Sequence, residues 1–409
     1  MEAGLTLEAF AKSLRERLAP EHWPLPLSAL PADAVLVGGA VRDAALGRLS
    51  DQPDLDLVVS SGAITLGQQL ARQQRGTCIV LDPERDIVRL VLRGWTIDLA
   101  RREGPDLASD LRRRDYTVNA IALPLAPGSP VVDPNGGLEH LRTRELVAIS
   151  EANLLDDPLR LLRGLRLAAE LGFAIPDPSL GWIRKHAPRL AEVAAERVLA
   201  ELEKLSAAPE GHLGLQQAWE LGLLAPWGAQ PAAGPALRQL SWRAAATRGL
   251  SPEERGNALP VARLAWLLDA TAVERLKGSR RLQQRCGELR HWWQTLSHMP
   301  LDALAEQERL SLHEQLGNDL PALLLGQTSA TAQRALARWR DPADPLFHPR
   351  PPLDGRQLQQ ALALKPGPAL GQLLTHLKLE HAFGRIALHD PSAALASARQ
   401  WLEDRQPLA

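Results

Sequence analysis

The stretch DLDLVV, residues 54–59 within DQPDLDLVVSSG (51–62), reads as a buried strand with two acids inside it. Leu55, Leu57, Val58 and Val59 supply the apolar side chains a strand needs. Successive strand residues alternate faces, so Asp54 and Asp56 share one. Two unpaired carboxylates there repel each other and lose solvation. The simplest compensation is divalent metal. Hard cations such as Mg²⁺ take carboxylate oxygens, and two acids on one face can bridge two ions. The bland alternative is a strand end where both acids reach water or pair with arginine.

About a dozen residues upstream, LVGGAVRDAALG (36–47) places Gly38 and Gly39 where a strand turns into a helix. Glycines there let backbone N–H groups approach a phosphate at the positive helix end. Arg42 would add a charge-assisted contact. A plain tight turn is the competing account. Downstream, SDLRRRDYTVNAIAL (109–123) packs Arg112, Arg113 and Arg114 together, followed by Asp115 and by Tyr116, the only tyrosine of the chain. A solvated charged face would also explain that run. Asp98, in GWTIDLAR, offers a third carboxylate on a neighbouring strand, unless it merely pairs with Arg101 or Arg102.

In LLDDPLRLLRGLRLAAELGF (154–173), Asp156 or Asp157 can cap a helix that has Pro158 at its first position. Arg160, Arg163 and Arg166 recur every three residues along one face. Asp157 and Arg160, three apart, lie close together. An aspartate accepts from an exocyclic amino group while an arginine donates to the neighbouring ring nitrogen. Cytosine and adenine present that edge and uracil and guanine its reverse, so the pair could accept C and A and reject U and G. An incidental ion pair on a capped amphipathic helix is the plainer reading.

The chain of 409 residues has room for two to four domains and a large core. Its 45% hydrophobic and 23% charged residues give an ordinary soluble balance, and no apolar run approaches a membrane span. The acidic, then amphipathic start is not a signal peptide. Two cysteines, Cys78 and Cys286, make no disulfide framework and fit a reducing cytoplasm. The net charge of −1 leaves any anionic partner to local basic clusters. Further strand candidates are CIVLD, IVRLVL and WTIDLA, with a helical ITLGQQLARQQ among them. From about residue 150 strand signals give way to Leu/Ala/Arg helices. APWGAQPAAGPA (225–236) and RDPADPLFHPRPPLDG (340–355) read as linkers.

The ordered set LVGGAVRD, DLDLVV, RRRDYTVNAIA, DPNGGLEHL, DDPLRLLRGLRLAAELGF and ERVLAELEKL resembles the class II tRNA nucleotidyltransferase/poly(A) polymerase family over roughly residues 34–205. The tail LDGRQLQQALALKPGPALGQLL also looks like the C-terminal segment of some members. The resemblance implies an α+β nucleotidyltransferase head, a mixed sheet with helices, followed by an all-α neck, body and tail. The expected divisions are an N-terminal helical extension (1–33), the head (34–148), the neck with a base-recognition helix (149–206), the body (207–340) and the tail (341–409). It implies addition of C, C and A to the tRNA 3′ end from CTP and ATP with release of pyrophosphate. Asp54 and Asp56 would be the metal-binding carboxylates for two Mg²⁺ ions; Asp98, which does not align with the family's third acid, is expected as a further catalytic acid from its own place on the neighbouring strand. Gly38, Gly39, Arg42 and Arg114 would hold the triphosphate. Asp157 and Arg160 would read the base, supported by Arg163 and Arg166. Glu196 and Arg197 fall in the neck motif, expected to serve structural positioning.

The sequence departs from the family's pattern. Only EGPDLAS separates Arg102 from Asp110, where many members carry a longer flexible loop linked to adding the terminal A. Members without it tend to stop after two cytidines, so a CC-adding enzyme beside a separate A-adding one is expected. No histidine precedes Asp269 in LAWLLDATA (264–272), so no second hydrolase site is expected. A poly(A) polymerase or A-adding enzyme is the nearest alternative, and a non-catalytic RNA-binding protein built on a dead head is the alternative of a different class. Elsewhere, ERLKGSRRLQQRCGELRHWW (274–293) is either a phosphate-contacting helix or a solvated face over buried tryptophans. His376, His381 and His389 lack metal-site spacing, and Leu7, Phe10, Leu14 and Leu18 form an apolar packing stripe.

Overall fold

The computed structural model describes residues 6–229 and 235–405. Part of the expected linker at 225–236 therefore lies outside the described residues. The chain divides into two compact units, one running to Val193 and including Leu221–Leu223, the other holding Ala194–Glu220 and Leu224 onward. The division falls inside the stretch expected as a single neck, 149–206.

The first unit holds a six-stranded mixed sheet: β1 (Val35–Val37), β2 (Leu55–Val59), β3 (Thr77–Asp82), β4 (Ile87–Leu92), β5 (Trp95–Arg101) and β6 (Ala122–Pro124), in the order β3-β4-β5-β2-β1-β6. Every pairing is antiparallel except β2 with β5. That one parallel pair sets the site, because its register places Asp56 opposite Asp98. Helices follow the chain as α1 (Leu7–Leu18), α2 (Gly39–Leu46), α3 (Ala63–Gln74), α4 (Leu107–Arg112), α5 (Gly137–Thr143), α6 (Glu151–Asp156), α7 (Leu159–Leu171) and α8 (Asp177–His186).

Alternation in the sequence decides what each sheet face does. Val88, Leu90 and Leu92 of β4 and Ile97 and Leu99 of β5 are buried. Gly67 of α3 packs so closely on them that a Cβ there would lie 2.7 Å from Val88. Val35, Val37, Val58 and Ala122 form a second cluster with Leu111 of α4. The residues between, Arg89 and Asp98, are left for chemistry. In α1 the packing stripe is Ala11, Leu14 and Leu18, all buried, while Leu7 is 52% exposed, which corrects the expectation that it packs. It lies in the first helical turn, where the helix has little to pack against.

The second unit is helical: α9 (Ala195–Ala207), α10 (Gly211–Glu220), α11 (Trp242–Thr247), α12 (Pro252–Leu267), α13 (Ala270–Arg275), α14 (Arg280–His298), α15 (Glu306–Leu316), α16 (Leu320–Leu324), α17 (Ser329–Trp339), α18 (Gly355–Leu362), α19 (Pro368–Ala382) and α20 (Pro391–Glu403). The last three share their own apolar cluster, with Leu358, Leu373, Leu377, Ala394 and Ala398 buried. The stretch 340–355 is not a bare linker, since Leu346, Phe347 and Leu353 are buried. Asp269 caps α13 by accepting from the Ala272 N–H at 2.8 Å. Residues 274–293 do not form one helix, because the chain breaks at Lys277 with φ +55. Two of their arginines serve internal partners, Arg285 pairing with Asp319 and Arg290 donating to the Ala265 and Trp266 carbonyls, while Arg280 and Arg281 are exposed. Trp292 is buried and Trp293 packs edge-on against Trp266, which favours the structural reading of that stretch.

A buried arginine ties this unit together. Arg263 of α12 donates to the carbonyls of Leu240, Ser206 and Ala208. Burial pushes its pKa down to about 10. Arg263→Leu leaves those carbonyls without their guanidinium donors, each such loss costing about 1–3 kcal/mol. The expected result is a markedly lower urea midpoint with an unchanged head-unit spectrum, read by denaturation followed at separate probes.

Candidate active site

The site begins where β1 ends. Gly38 adopts φ +76 and ψ −143, a conformation open to glycine alone, and starts α2. A Cβ at Gly38 would sit 2.6 Å from Asp56 Oδ2, so the glycine turn touches the acid directly. Val37 pairs with Asp56 across β1 and β2, Asp56 with Asp98 across β2 and β5, and Asp98 with Arg89 across β5 and β4. One row across the sheet thus carries a glycine turn, two carboxylates and an arginine. Asp54 lies one residue before β2 and is exposed, so the acids are not two members of one strand as expected.

Electrostatics follow from the crowding. Burial foremost, then the negative charges of Asp98 and Asp54, push the Asp56 pKa up to about 6, against the opposing pull of Arg114 and Arg89. Positive charge placed here would relieve all three carboxylates at once. Oxygen donors of this kind suit Mg²⁺. Asp98 is held by neither Arg101 nor Arg102. Its partner is Arg89, which donates from Nε and Nη2 at 2.8 Å each. The β4–β5 register is invisible in the sequence, although IVRLVL does put Arg89 on the face opposite Val88, Leu90 and Leu92. Among the described residues no three carboxylates, histidines or cysteines converge as a formed metal cage.

The basic residues are partnered. Arg42 is only 8% exposed; it donates to Asp43 from Nε at 3.0 Å and Nη2 at 2.9 Å, and to Asn119 Oδ1 at 2.7 Å. Asp43 and Asn119 were not among the expected site residues. Arg114 donates to Asp110 at 3.2 Å, yet its Nε is buried with no hydrogen-bond partner. The charge of the Arg114 guanidinium pulls the Asp56 pKa down against the effect of burial.

The helix after the head starts one residue later than expected. Asp157 stands between α6 and α7, where its Oδ1 accepts from the Leu159 N–H at 3.2 Å, and Pro158 precedes α7 instead of being its first residue. Arg160 shares a turn with Asp157, its N–H donating to the Asp157 carbonyl at 2.9 Å. Its guanidinium donates to the carbonyls of Asn153 at 2.7 Å and Arg113 at 3.2 Å. Arg163 approaches Asp115 at 3.5 Å and Arg166 pairs with Glu170 at 2.7 Å. The fully buried Tyr116 donates its hydroxyl to the Arg160 carbonyl at 3.0 Å, locking this helix to the segment after Arg114. Gly164 makes room for that ring, since a Cβ there would lie 1.9 Å from the tyrosine oxygen. Gly164→Ala therefore overpacks the contact and is expected to cost about 1–3 kcal/mol, measured by urea denaturation. Glu196 of α9 pairs with Lys277 at 2.9 Å, a contact within the second unit.

A mixed sheet presenting adjacent carboxylates beside a glycine turn that opens a helix defines a nucleotidyltransferase head. Residues 96–147 match the poly A polymerase head domain, and residues 172–228 match the probable RNA and SrmB-binding site of polymerase A. The chain is 36% identical to the CC-adding tRNA nucleotidyltransferase of Synechocystis over 91% of its own length and 95% of the relative's. It is 32% identical to the CC-adding tRNA nucleotidyltransferase of Thermus thermophilus, covering 89% and 93% of the two chains. Among solved structures, the Thermotoga maritima CCA-adding enzyme complexed with tRNA aligns with a TM-score of 0.71 at 19% identity over 96% of this chain and 98% of the other, which shows a shared fold. The chain belongs to the tRNA nucleotidyltransferase/poly(A) polymerase family and is an RNA nucleotidyltransferase. Enzymes of this family generally use divalent metal. No helix among the described residues is long and apolar enough to cross a membrane.

Proposed function

We propose that this protein adds the two cytidines of the tRNA 3′ end from CTP, and leaves the terminal adenosine to a separate A-adding enzyme. The reading is carried by the pairing of Asp56 with Asp98 across β2 and β5, with the Gly38 turn packed against Asp56. Asp54 and Asp56, with Asp98 beside them, would hold two Mg²⁺ ions, which supply acidity to the attacking hydroxyl and charge neutralisation to the triphosphate. Gly38 and Gly39 let the chain approach the phosphates, with Arg42 braced by Asp43 and Asn119 next to them. The unpartnered Nε of Arg114 supports a role in holding a phosphate oxygen. Asp157 and Arg160 read the Watson–Crick edge of the base, which favours cytosine and adenine. Arg163 and Arg166 stiffen that helix through Asp115 and Glu170. The tRNA 3′-hydroxyl attacks the α-phosphorus in line with the departing pyrophosphate, and positioning does most of the work.

The limit to two cytidines is supported by the segment after β5. Between Arg101 and the first residue of α4, Leu107, there is little free chain. Asp110 accepts from the Glu103 N–H at 2.8 Å, Arg113 pairs with Glu103 at 2.9 Å, and Asp106 caps α4 by accepting from Ser109 at 2.7 Å. A segment so tied down has no slack to rearrange for a larger base. The test is a tRNA already ending in two cytidines, incubated with ATP. No extension supports the limit, whereas addition of one adenosine shows full CCA synthesis. Two free cysteines, Cys78 and Cys286, together with the tRNA substrate, support work in the cytoplasm.

A further inference from the structure

A cavity with a mixed lining lies in the helical unit, where Leu301, Ala335 and Phe347 surround a cluster of arginines and a histidine. It measures about 190 Å³, several times the ~30 Å³ share of one water molecule and room for a tetrahedral oxyanion. Two helices line it with residues one turn apart. Arg309 and His313 come from α15, and Arg334 and Arg338 come from α17, with Thr331 one turn earlier. Phe347 closes one side, its ring 4.0 Å from the His313 ring between centroids.

Two polar atoms here lack what burial demands. Arg309 Nε and His313 Nδ1 are both buried and have no hydrogen-bond partner. His313 itself is only 4% exposed. Buried donors are almost always satisfied, so an unsatisfied pair at one cavity points to a missing acceptor. Arg Nε can only donate, and imidazole Nδ1 donates in one of its tautomers. An anion answers both. Burial, followed by the charges of Arg309 and Arg338, pushes the His313 pKa down to about 3, so the imidazole is neutral and the guanidinium groups carry the charge. Arg338 is fixed by Asp344 at 2.7 Å and lies over Phe347 at 4.8 Å. Asp302 also lines the cavity. Three guanidinium groups against the Asp302 and Asp344 carboxylates leave a cationic excess.

We propose that this cavity binds a phosphate group, accepted from Arg309 Nε and His313 Nδ1 at its floor, from the Thr331 hydroxyl at its side and from the exposed Arg334 at its mouth. The phosphate comes either from an RNA backbone or from a free phosphate or small phosphoester, and the chemistry of recognition is the same.

The test uses the full chain, inorganic phosphate as probe, and Arg334→Gln and Arg309→Gln as variants. Arg334 is exposed, so its replacement leaves the fold intact. Thermal melts are recorded across a phosphate series at constant ionic strength, and tRNA binding is measured across a salt series. The expected result is a saturable phosphate-dependent rise in Tm that shrinks in both variants. A fall in tRNA affinity for Arg334→Gln, with a salt slope smaller by about one, identifies the RNA backbone as the source. Unchanged tRNA binding with a lost phosphate response identifies a free phosphate or phosphoester. No phosphate response in the parent protein, or an equal response in parent and Arg334→Gln, overturns the proposal and leaves the cavity to water.

Discussion

Asp56→Asn is expected to lower nucleotide incorporation by about 10³-fold or more and, in a chelator, to make the protein more stable at neutral pH. Both effects come from the same crowding. In the folded chain the Asp56 pKa is pushed up to about 6, above its ordinary value of 3.8. Below pH 4 the carboxyl is protonated in both the folded and unfolded states, and it costs nothing. Between pH 4 and 6 the folded state holds a proton that the unfolded state has released, so stability falls as pH rises through that window. Above pH 6 the ionised carboxylate stays in place at a standing cost, relieved when cation binds. Asparagine removes the charge. The variant should therefore melt higher than the parent at pH 7, with the gap closing toward pH 4, while incorporation is lost at every pH. Thermal melts at pH 4, 5, 6 and 7 in a chelator measure the first effect, and single-turnover extension measures the second. A variant less stable than the parent at pH 7 would mean that Asp56 is a structural acid.

The second large effect is expected at Gly38, and here strain and chemistry can be separated. Gly38→Ala forces a side chain into φ +76, ψ −143 and brings a methyl to 2.6 Å from Asp56 Oδ2. The backbone strain costs about 1–3 kcal/mol, and the carboxylate must move as well. Incorporation should fall by about 10²-fold, with loss in kcat. Gly62→Ala is the matched control. Gly62 also has a positive φ, of +70, but a Cβ there meets nothing within 4 Å. It should lower the melting temperature while leaving turnover close to that of the parent. If both variants lose activity equally, the effect of Gly38 is one of folding and its contact with Asp56 is not functional.

Much of the head is legible in the sequence, for physical reasons. Apolar runs of four to six residues bounded by Gly, Pro and Asp marked five of the six strands, and Gly38–Gly39 marked the turn into α2. The acids stood out because carboxylates beside Leu55 and Leu57 need an explanation. Register was not legible. Nothing local in IVRLVL or WTIDLA says that Arg89 will meet Asp98, and proximity alone suggested Arg101 or Arg102 instead. The same limit hid Asn119 as the acceptor for Arg42, 77 residues distant. Tyr116 illustrates the other gap. Its uniqueness was visible, but its burial against Gly164 depends on how α7 packs on the loop after Arg114. At Asp157 the local pattern misled slightly, since a DP pair suits either the last residue of a cap or the link between two helices.

The acids beside Gly38 are expected to extend RNA. A labelled tRNA lacking its three terminal nucleotides, incubated with Mg²⁺ and CTP, tests it most directly. The expected product is longer by two cytidines, unchanged in length when ATP is added, and absent with Asp56→Asn. A folded parent protein that leaves the tRNA unextended, or an Asp56→Asn variant that extends it normally, would mean that these acids do not carry the reaction.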